Sequence, residues 1–252
     1  MKKFRKLVPA LCMLLVSAVL MGTSTYAWFS MNKTVTASGM QVTAKSNSTF
    51  LLIGNADTVG TNKTGLTDTV TAAKQGTATE VYPAFYAAEA GTFPGKDSTT
   101  TTKGKWYTAK SDNAGQVASN ITVSEIETAK EGDYYIEYKV WLTLSSDSED
   151  YKGTLNLAFA LENIGATTAD AAVAAVVTVG SNAAIKMSNA TVAANAGIAT
   201  ATITNFEITK TNAIEVSVKV YVDGTSTNVY SNYINTAGNT ISGSAKITFT
   251  LS

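Results

Sequence analysis

Hydrophobic and polar residues alternate with a period of two along several stretches of this chain, the pattern of strands with one face turned inward. The clearest case sets Ile214, Val216, Val218, Val220 and Val222 against Glu215, Ser217, Lys219 and Tyr221, and ends at the turn signal Asp223-Gly224. Ile136, Tyr138, Val140, Leu142 and Leu144 repeat it against Glu137, Lys139, Trp141 and Thr143, and Leu155, Leu157, Phe159 and Leu161 form a third run. Shorter strands are predicted at Thr34 to Ala44, Phe50 to Ile53, Val81 to Tyr86, Trp106 to Ala109, Ala183 to Met187, Ile198 to Thr209 and Lys246 to Leu251. Strands with one polar face imply antiparallel sheets wetted on one side, and two such sheets stacked face to face make an all-β sandwich. Ala169 to Val177 fits two readings, a short helix behind an N-capping Thr168 or a strand of small residues.

The first 27 residues follow another rule. Leu7 to Met21 is apolar apart from Ser17, four positive charges precede it (Lys2, Lys3, Arg5, Lys6), and Thr25 and Ala27 place small residues three and one before a cut ahead of Trp28. This is the order of a secretory signal peptide. The apolar run is short of the ~20 residues of a spanning helix, so the expectation is cleavage, export to the cell surface or medium, and no stable membrane anchor afterwards. Cys12 lies too early, and behind the wrong residues, for a lipid-anchored cysteine. Residues 28–252 then form a single sandwich domain. Around 55–120 it carries a loop-rich insertion, because Asn55 to Glu80 and the Ser98 to Thr102 run are poor in large apolar residues.

Composition narrows the chemistry. The chain has no histidine and one cysteine, and removing the leader takes that cysteine and the only arginine, Arg5, leaving 15 basic residues where there were 19 against 19 acidic ones. Nucleophilic catalysis through His or Cys and histidine-ligated zinc are excluded, and an acidic chain without arginine is a poor partner for nucleic acid. Neither an enzyme nor a cofactor is expected. Gly91 to Asp97 is one residue too short between its glycines for a phosphate loop, and Asp97 stands where a Ser or Thr is needed, so it reads as a turn. Asp147, Glu149 and Asp150 form a weak calcium candidate against the alternative of a solvated turn. Glu80, Glu89, Glu137 and Glu207 supply carboxylates for a hydrolase, with nothing in the sequence to pair them. Tyr134, Tyr135, Trp141, Tyr230 and Tyr233 fit either a sugar-stacking platform or ordinary packing.

The junction Thr25-Tyr26-Ala27-Trp28-Phe29-Ser30, followed by Thr34 to Val42 with its Gly39, resembles the start of the TasA and camelysin family, whose members are secreted through the signal peptidase SipW. Glu131-Gly132-Asp133 before a strong strand, Tyr221-Val222-Asp223-Gly224 at the end of one, and Lys246 to Leu251 are similar to further segments of that family. The resemblance covers the two ends and the middle of the mature chain and leaves Asn55 to Asn120 outside. It implies a jelly-roll-like β-sandwich that builds matrix fibres of a biofilm or coats the cell surface, with a SipW-like peptidase and further copies of the chain as partners. Peptidase activity attributed to camelysins is not carried over, since no metal-binding motif accompanies it here.

Cleavage after Ala27 frees a segment with Trp28, Phe29, Val35, Met40 and Val42, and burying one large apolar side chain is worth ~1.5 to 3 kcal/mol. Such a strand adds readily to the open edge of a neighbour's sheet. It is equally suited to be the first strand of its own domain, and both arrangements can hold, internal in the monomer and exchanged in the fibre. A binding module for glycan or host protein, working through the Thr-rich loops, is the alternative. The C-terminal Phe249-Thr250-Leu251-Ser252 carries no sorting pentapeptide. Amino-terminal sequencing of secreted protein is expected to start at Trp28, and Ala27→Phe is expected to leave the leader attached.

Overall fold

A computed structural model describes residues 40–45, 50–57, 66–76, 81–94, 96–109, 121–162, 172–188, 198–226, 229 and 244–252, all within the unit Thr34–Ser252. In chain order their strands are β1 (Met40–Lys45), β2 (Leu51–Gly54), β3 (Thr69–Thr71), β4 (Ala73–Gln75), β5 (Ala84–Tyr86), β6 (Gly91–Phe93), β7 (Lys96–Thr101) and β8 (Trp106–Thr108). After a 3-10 helix, Thr128–Asp133, come β9 (Ile136–Leu144), β10 (Tyr151–Glu162), β11 (Val173–Val179), β12 (Ile185–Ser188), β13 (Ile198–Ile208), β14 (Ile214–Val222) and β15 (Ser244–Leu251).

Sheet A has the order β13-β10-β15-β1-β3, and sheet B the order β12-β11-β14-β9-β2, with β4 also paired to β9. The alternation seen in the sequence decides which residues meet between them. Leu155, Leu157, Phe159, Ile247, Phe249 and Leu251 of sheet A pack on Val140, Leu142, Leu144, Val177, Val216 and Val218 of sheet B in one buried core. The all-β sandwich is therefore correct. The chain passes from β3 in one sheet to β4 in the other through Ala72 alone, which is buried at the crossing.

One pairing departs from the antiparallel rule, since β1 runs parallel to β15, with Met40 beside Ala245, Val42 beside Ile247 and Ala44 beside Phe249. Of the stretch Ala169 to Val177, the part from Val173 on is strand, and Ala172 just before it lies in a 3-10 turn. Residues 169–171 lie outside the described residues, and β11 begins at Val173. It is buried along nearly its whole length, and on both faces, which is why it shows no alternation.

The second cover over β11 comes from the insertion. The described part of 55–120 holds β5 and β8 at the two expected strands, β3 and β4 within Asn55 to Glu80 where only loop is expected, and a hairpin, β6 with β7, that corrects the reading of Gly91 to Asp97 as a turn and of Ser98 to Thr102 as loop. On the outer side of sheet B, Ala84, Tyr86, Trp106 and Ile126 pack against Ala174, Val176 and Tyr221. The Trp106 ring lies 5.0 Å from Tyr86, 5.1 Å from Tyr135 and 5.0 Å edge-on from Tyr221. Small side chains on β11 leave room for that indole. The opposite side of the insertion buries Ala87, Phe93, Tyr107, Ala109 and Ile121 as a cluster of its own.

A bulge tunes the long edge strand β13. Opposite β10 the register steps from Phe206 beside Gly153 to Ile203 beside Leu155, so Thr204 and Asn205 face Thr154 alone. Asn205 takes the left-handed conformation, φ 56°, that the extra residue requires. Ile203 and Phe206, three residues apart, both point into the core as a result. Asn205→Gly is expected to leave stability nearly unchanged, while Asn205→Val is expected to lower it by about 1 to 2 kcal/mol, read by denaturant unfolding.

Candidate assembly edge and the aromatic joint

The two edges of β15 are held very differently. On one side eight residue pairs join it antiparallel to β10. The clamp continues past the strand, where Thr154 and Ser252 exchange backbone hydrogen bonds (3.1 and 3.0 Å), the Tyr151 hydroxyl donates to the Ser252 carbonyl (2.7 Å), and Asn156 Nδ2 donates to Ser252 Oγ (2.8 Å). On the other side lies β1, over six parallel pairs, and beyond it, among the described residues, the three residues of β3. Parallel ladders are slightly weaker per residue than antiparallel ones. β15 is thus clamped through β10 on one side and paired with the shorter, parallel β1 on the other.

Met40 and Val42, expected in an assembling strand, sit in β1 in register with core residues of β15. Val35, Trp28 and Phe29, together with the cleavage residues Thr25 and Ala27, lie outside the described residues. Among the described residues no helix is long and apolar enough to cross a membrane.

The outer face of sheet A forms an open groove of about 320 Å³ floored by Ala158 and lined by Asn156, Thr200, Thr202, Thr248 and Thr250. Ionisable side chains do not line it. Of the carboxylates considered for hydrolysis, Glu89 pairs with Lys103 (2.8 Å), Glu137 accepts from Ser217 Oγ (2.7 Å), Glu207 pairs with Lys152, and Glu80 lies outside the described residues. The Asp147, Glu149 and Asp150 loop is a hydrogen-bonded turn. Ser148 Oγ accepts the Phe50 N–H (3.0 Å), and Asp150 accepts the Lys210 N–H (2.9 Å). Among the described residues no three His, Cys, Asp or Glu are grouped to hold a metal, so the calcium candidate finds no support.

The aromatics proposed as a sugar platform divide. Tyr135 packs on Trp106 and under Lys219, whose ammonium lies 4.3 Å from the ring centre, and Tyr230 and Tyr233 lie outside the described residues. Tyr134 meets Tyr82 with ring centres 5.8 Å apart and planes tilted by 51°, and Tyr82 is 67% exposed. Trp141 is half-buried on the outer face of sheet B, where the neighbouring Lys139 and Glu215 pair at 2.9 Å.

Where the insertion meets sheet B, polar groups are placed among these rings. Asp223, just past β14, bridges to Ala84, receives the Thr225 N–H (3.1 Å) and hydroxyl (2.6 Å) on Oδ1, and meets Lys186 Nζ at 2.7 Å on Oδ2. Next to it Gly224 donates to the Ala84 carbonyl (2.9 Å), and a Cβ there would overlap the Ala109 carbonyl. The sequence marked Asp223-Gly224 only as a turn. Nothing in its alternation identifies Lys186 as the partner.

Comparison with family models, with curated proteins and with solved structures finds no match.

Tyr221 is the one buried group of the joint whose hydroxyl has no hydrogen-bond partner among the described residues. Burial pushes its phenol well above the ordinary tyrosine range and the Asp223 carboxylate adds to the rise, while a Tyr86 backbone group opposes it without making a full hydrogen bond. Above pH about 10 the unfolded chain loses this proton and the folded chain keeps it, so stability falls with pH by about 1.4 kcal/mol per unit until the folded group titrates. Tyr221→Phe is expected to leave stability at neutral pH equal or up to about 1 kcal/mol higher, since an unpaired hydroxyl is removed, and to flatten the alkaline loss in unfolding curves from pH 8 to 12.

Proposed function

We propose that this chain is an exported structural protein of a cell surface or extracellular matrix whose copies join by exchange of β1. The reading rests on the asymmetry of β15, an acceptor edge clamped to the body through β10 and carrying on its free side a strand held mainly by six parallel pairs. When β1 leaves, the backbone donors and acceptors of β15 are uncovered, and the strand that restores them best is the β1 of another copy, which has the same register. Leader composition and the resemblance of the mature N-terminus to TasA and camelysin proteins agree with it. A non-enzymatic role follows from the same reading, since the working surface is a strand edge.

The alternative, a binding module for glycan or host protein, draws on the exposed ring of Tyr82, set beside Tyr134, as an apolar face of the kind that sugars cover. It predicts saturable glycan binding that is lost in Tyr82→Ala.

Register allows a direct test of exchange, because Thr43 and Thr248 are partners in the parallel ladder and the chain beyond Cys12 has no cysteine. Mature Thr43→Cys and Thr248→Cys variants, mixed, assembled and oxidised, are expected to give a disulfide-linked dimer that neither variant gives alone. Assembly without that mixed dimer overturns the exchange. A mature chain that stays monomeric at concentrations where matrix proteins polymerise overturns the structural role.

A further inference from the structure

The joint between the insertion and sheet B brings a lysine and a carboxylate together as reactants. Lys186 Nζ and Asp223 Oδ2 are 2.7 Å apart with side chains 20% and 13% exposed, whereas every other ion pair among the described residues has both side chains at least 30% exposed. Phe85 lies over the Lys186 ammonium, 4.5 Å from nitrogen to ring centre. Val176, the register partner of Lys186, is buried, and so are Ala84, the bridge partner of Asp223, and Tyr221, two residues before it. Bulk water is largely displaced from around the pair.

Both partners are held by backbone. Lys186 is fixed in β12 by its pairing to β11, and Asp223 by its N–H bond to the Ala172 carbonyl (2.7 Å) and by the bridge to Ala84. Reacting groups held in this way gain the rate advantage of an intramolecular encounter. Two donors, the Thr225 N–H and hydroxyl, point at Asp223 Oδ1. They stand where negative charge develops when a nucleophile adds to the carboxyl carbon, the arrangement that stabilises tetrahedral intermediates.

We infer that Lys186 and Asp223 condense to an isopeptide cross-link. A proton passes from the ammonium to Oδ2 along their hydrogen bond, and the freed lone pair on Nζ attacks Cγ. The Nζ–Cγ bond forms while the carbonyl electron pair moves to Oδ1, held there by Thr225. The carbonyl then re-forms, the Cγ–Oδ2 bond breaks, and a second proton from Nζ leaves with Oδ2 as water. Ammonium and carboxylate become one secondary amide and one water, with no oxidant, reductant or cofactor. The product ties edge strand β12 to the turn after β14, a covalent staple in a chain that cannot form a disulfide.

Peptide mass spectrometry of the folded, purified mature chain tests this, independently of whether it polymerises. Trypsin is expected not to cut after Lys186, and the peptides containing Lys186 and Asp223 are expected as one branched species lighter by one water than their sum. Lys186→Arg and Asp223→Ala are expected to abolish the branched species. Asp223→Asn is expected to give a cross-link of the same mass as the wild type, since ammonia leaves in place of water. Thr225→Val is expected to slow its appearance at least tenfold without preventing it. Cleavage after Lys186 and two unlinked peptides of full mass from aged wild-type protein overturn the proposal, and that result needs no variant to fold.

Discussion

Sheet B is apolar on both sides where β11 runs, and this constraint governs the rest of the molecule. One face of β11 closes the core against sheet A, and the other, through Ala174 and Val176, needs a cover of its own. An ordinary sandwich would leave that face to solvent. Here Trp106 supplies the cover, and its contacts with Tyr86, Tyr135 and Tyr221 draw residues 81–109 and 121–135 onto the sheet as a second layer. The partly buried Lys186 and Asp223 pair, the close approach of Gly224 to Ala109 and the unpartnered Tyr221 hydroxyl all follow from seating that layer against a flat strand surface.

Two of the three clearest alternating runs match their strands at both ends, while β10 starts at Tyr151, four residues before the run at Leu155. β9 and β14 have the bounds that alternation gives them, because one face of each enters the core while the other, Tyr221 apart, keeps polar or half-buried side chains. β11 could not be read in this way, since burial on both sides erases the period that identifies a strand. The hairpin of β6 and β7 was missed for the opposite reason: its threonines lie mostly outside the core, so its composition matches that of a loop. Of the assembly edge, Met40 and Val42 were visible as strand residues. Their parallel partner was not, because register between segments far apart in sequence leaves no local trace. The joint was legible only as a turn at Asp223-Gly224. Lys186 reaches it from another strand, and pairing across a sheet is decided by topology.

In the exchange proposed above, β1 would use the same ladder as in its intramolecular pairing, so the contacts alone would not favour one over the other. The balance is set by the entropy of the connection from β1 to β2, by strain in closing it, and by protein concentration.

The position of β15 at the centre of sheet A also imposes an order in time. A chain that emerges amino end first, from a ribosome or a translocation channel, produces β1 early and its parallel partner Ser244–Leu251 after every other strand described here. Until then sheet A lacks its middle strand, and β1 has β3 but not β15 to pair with while most of sheet B is already present. Closure of sheet A therefore waits for the last strand described, Ser244–Leu251.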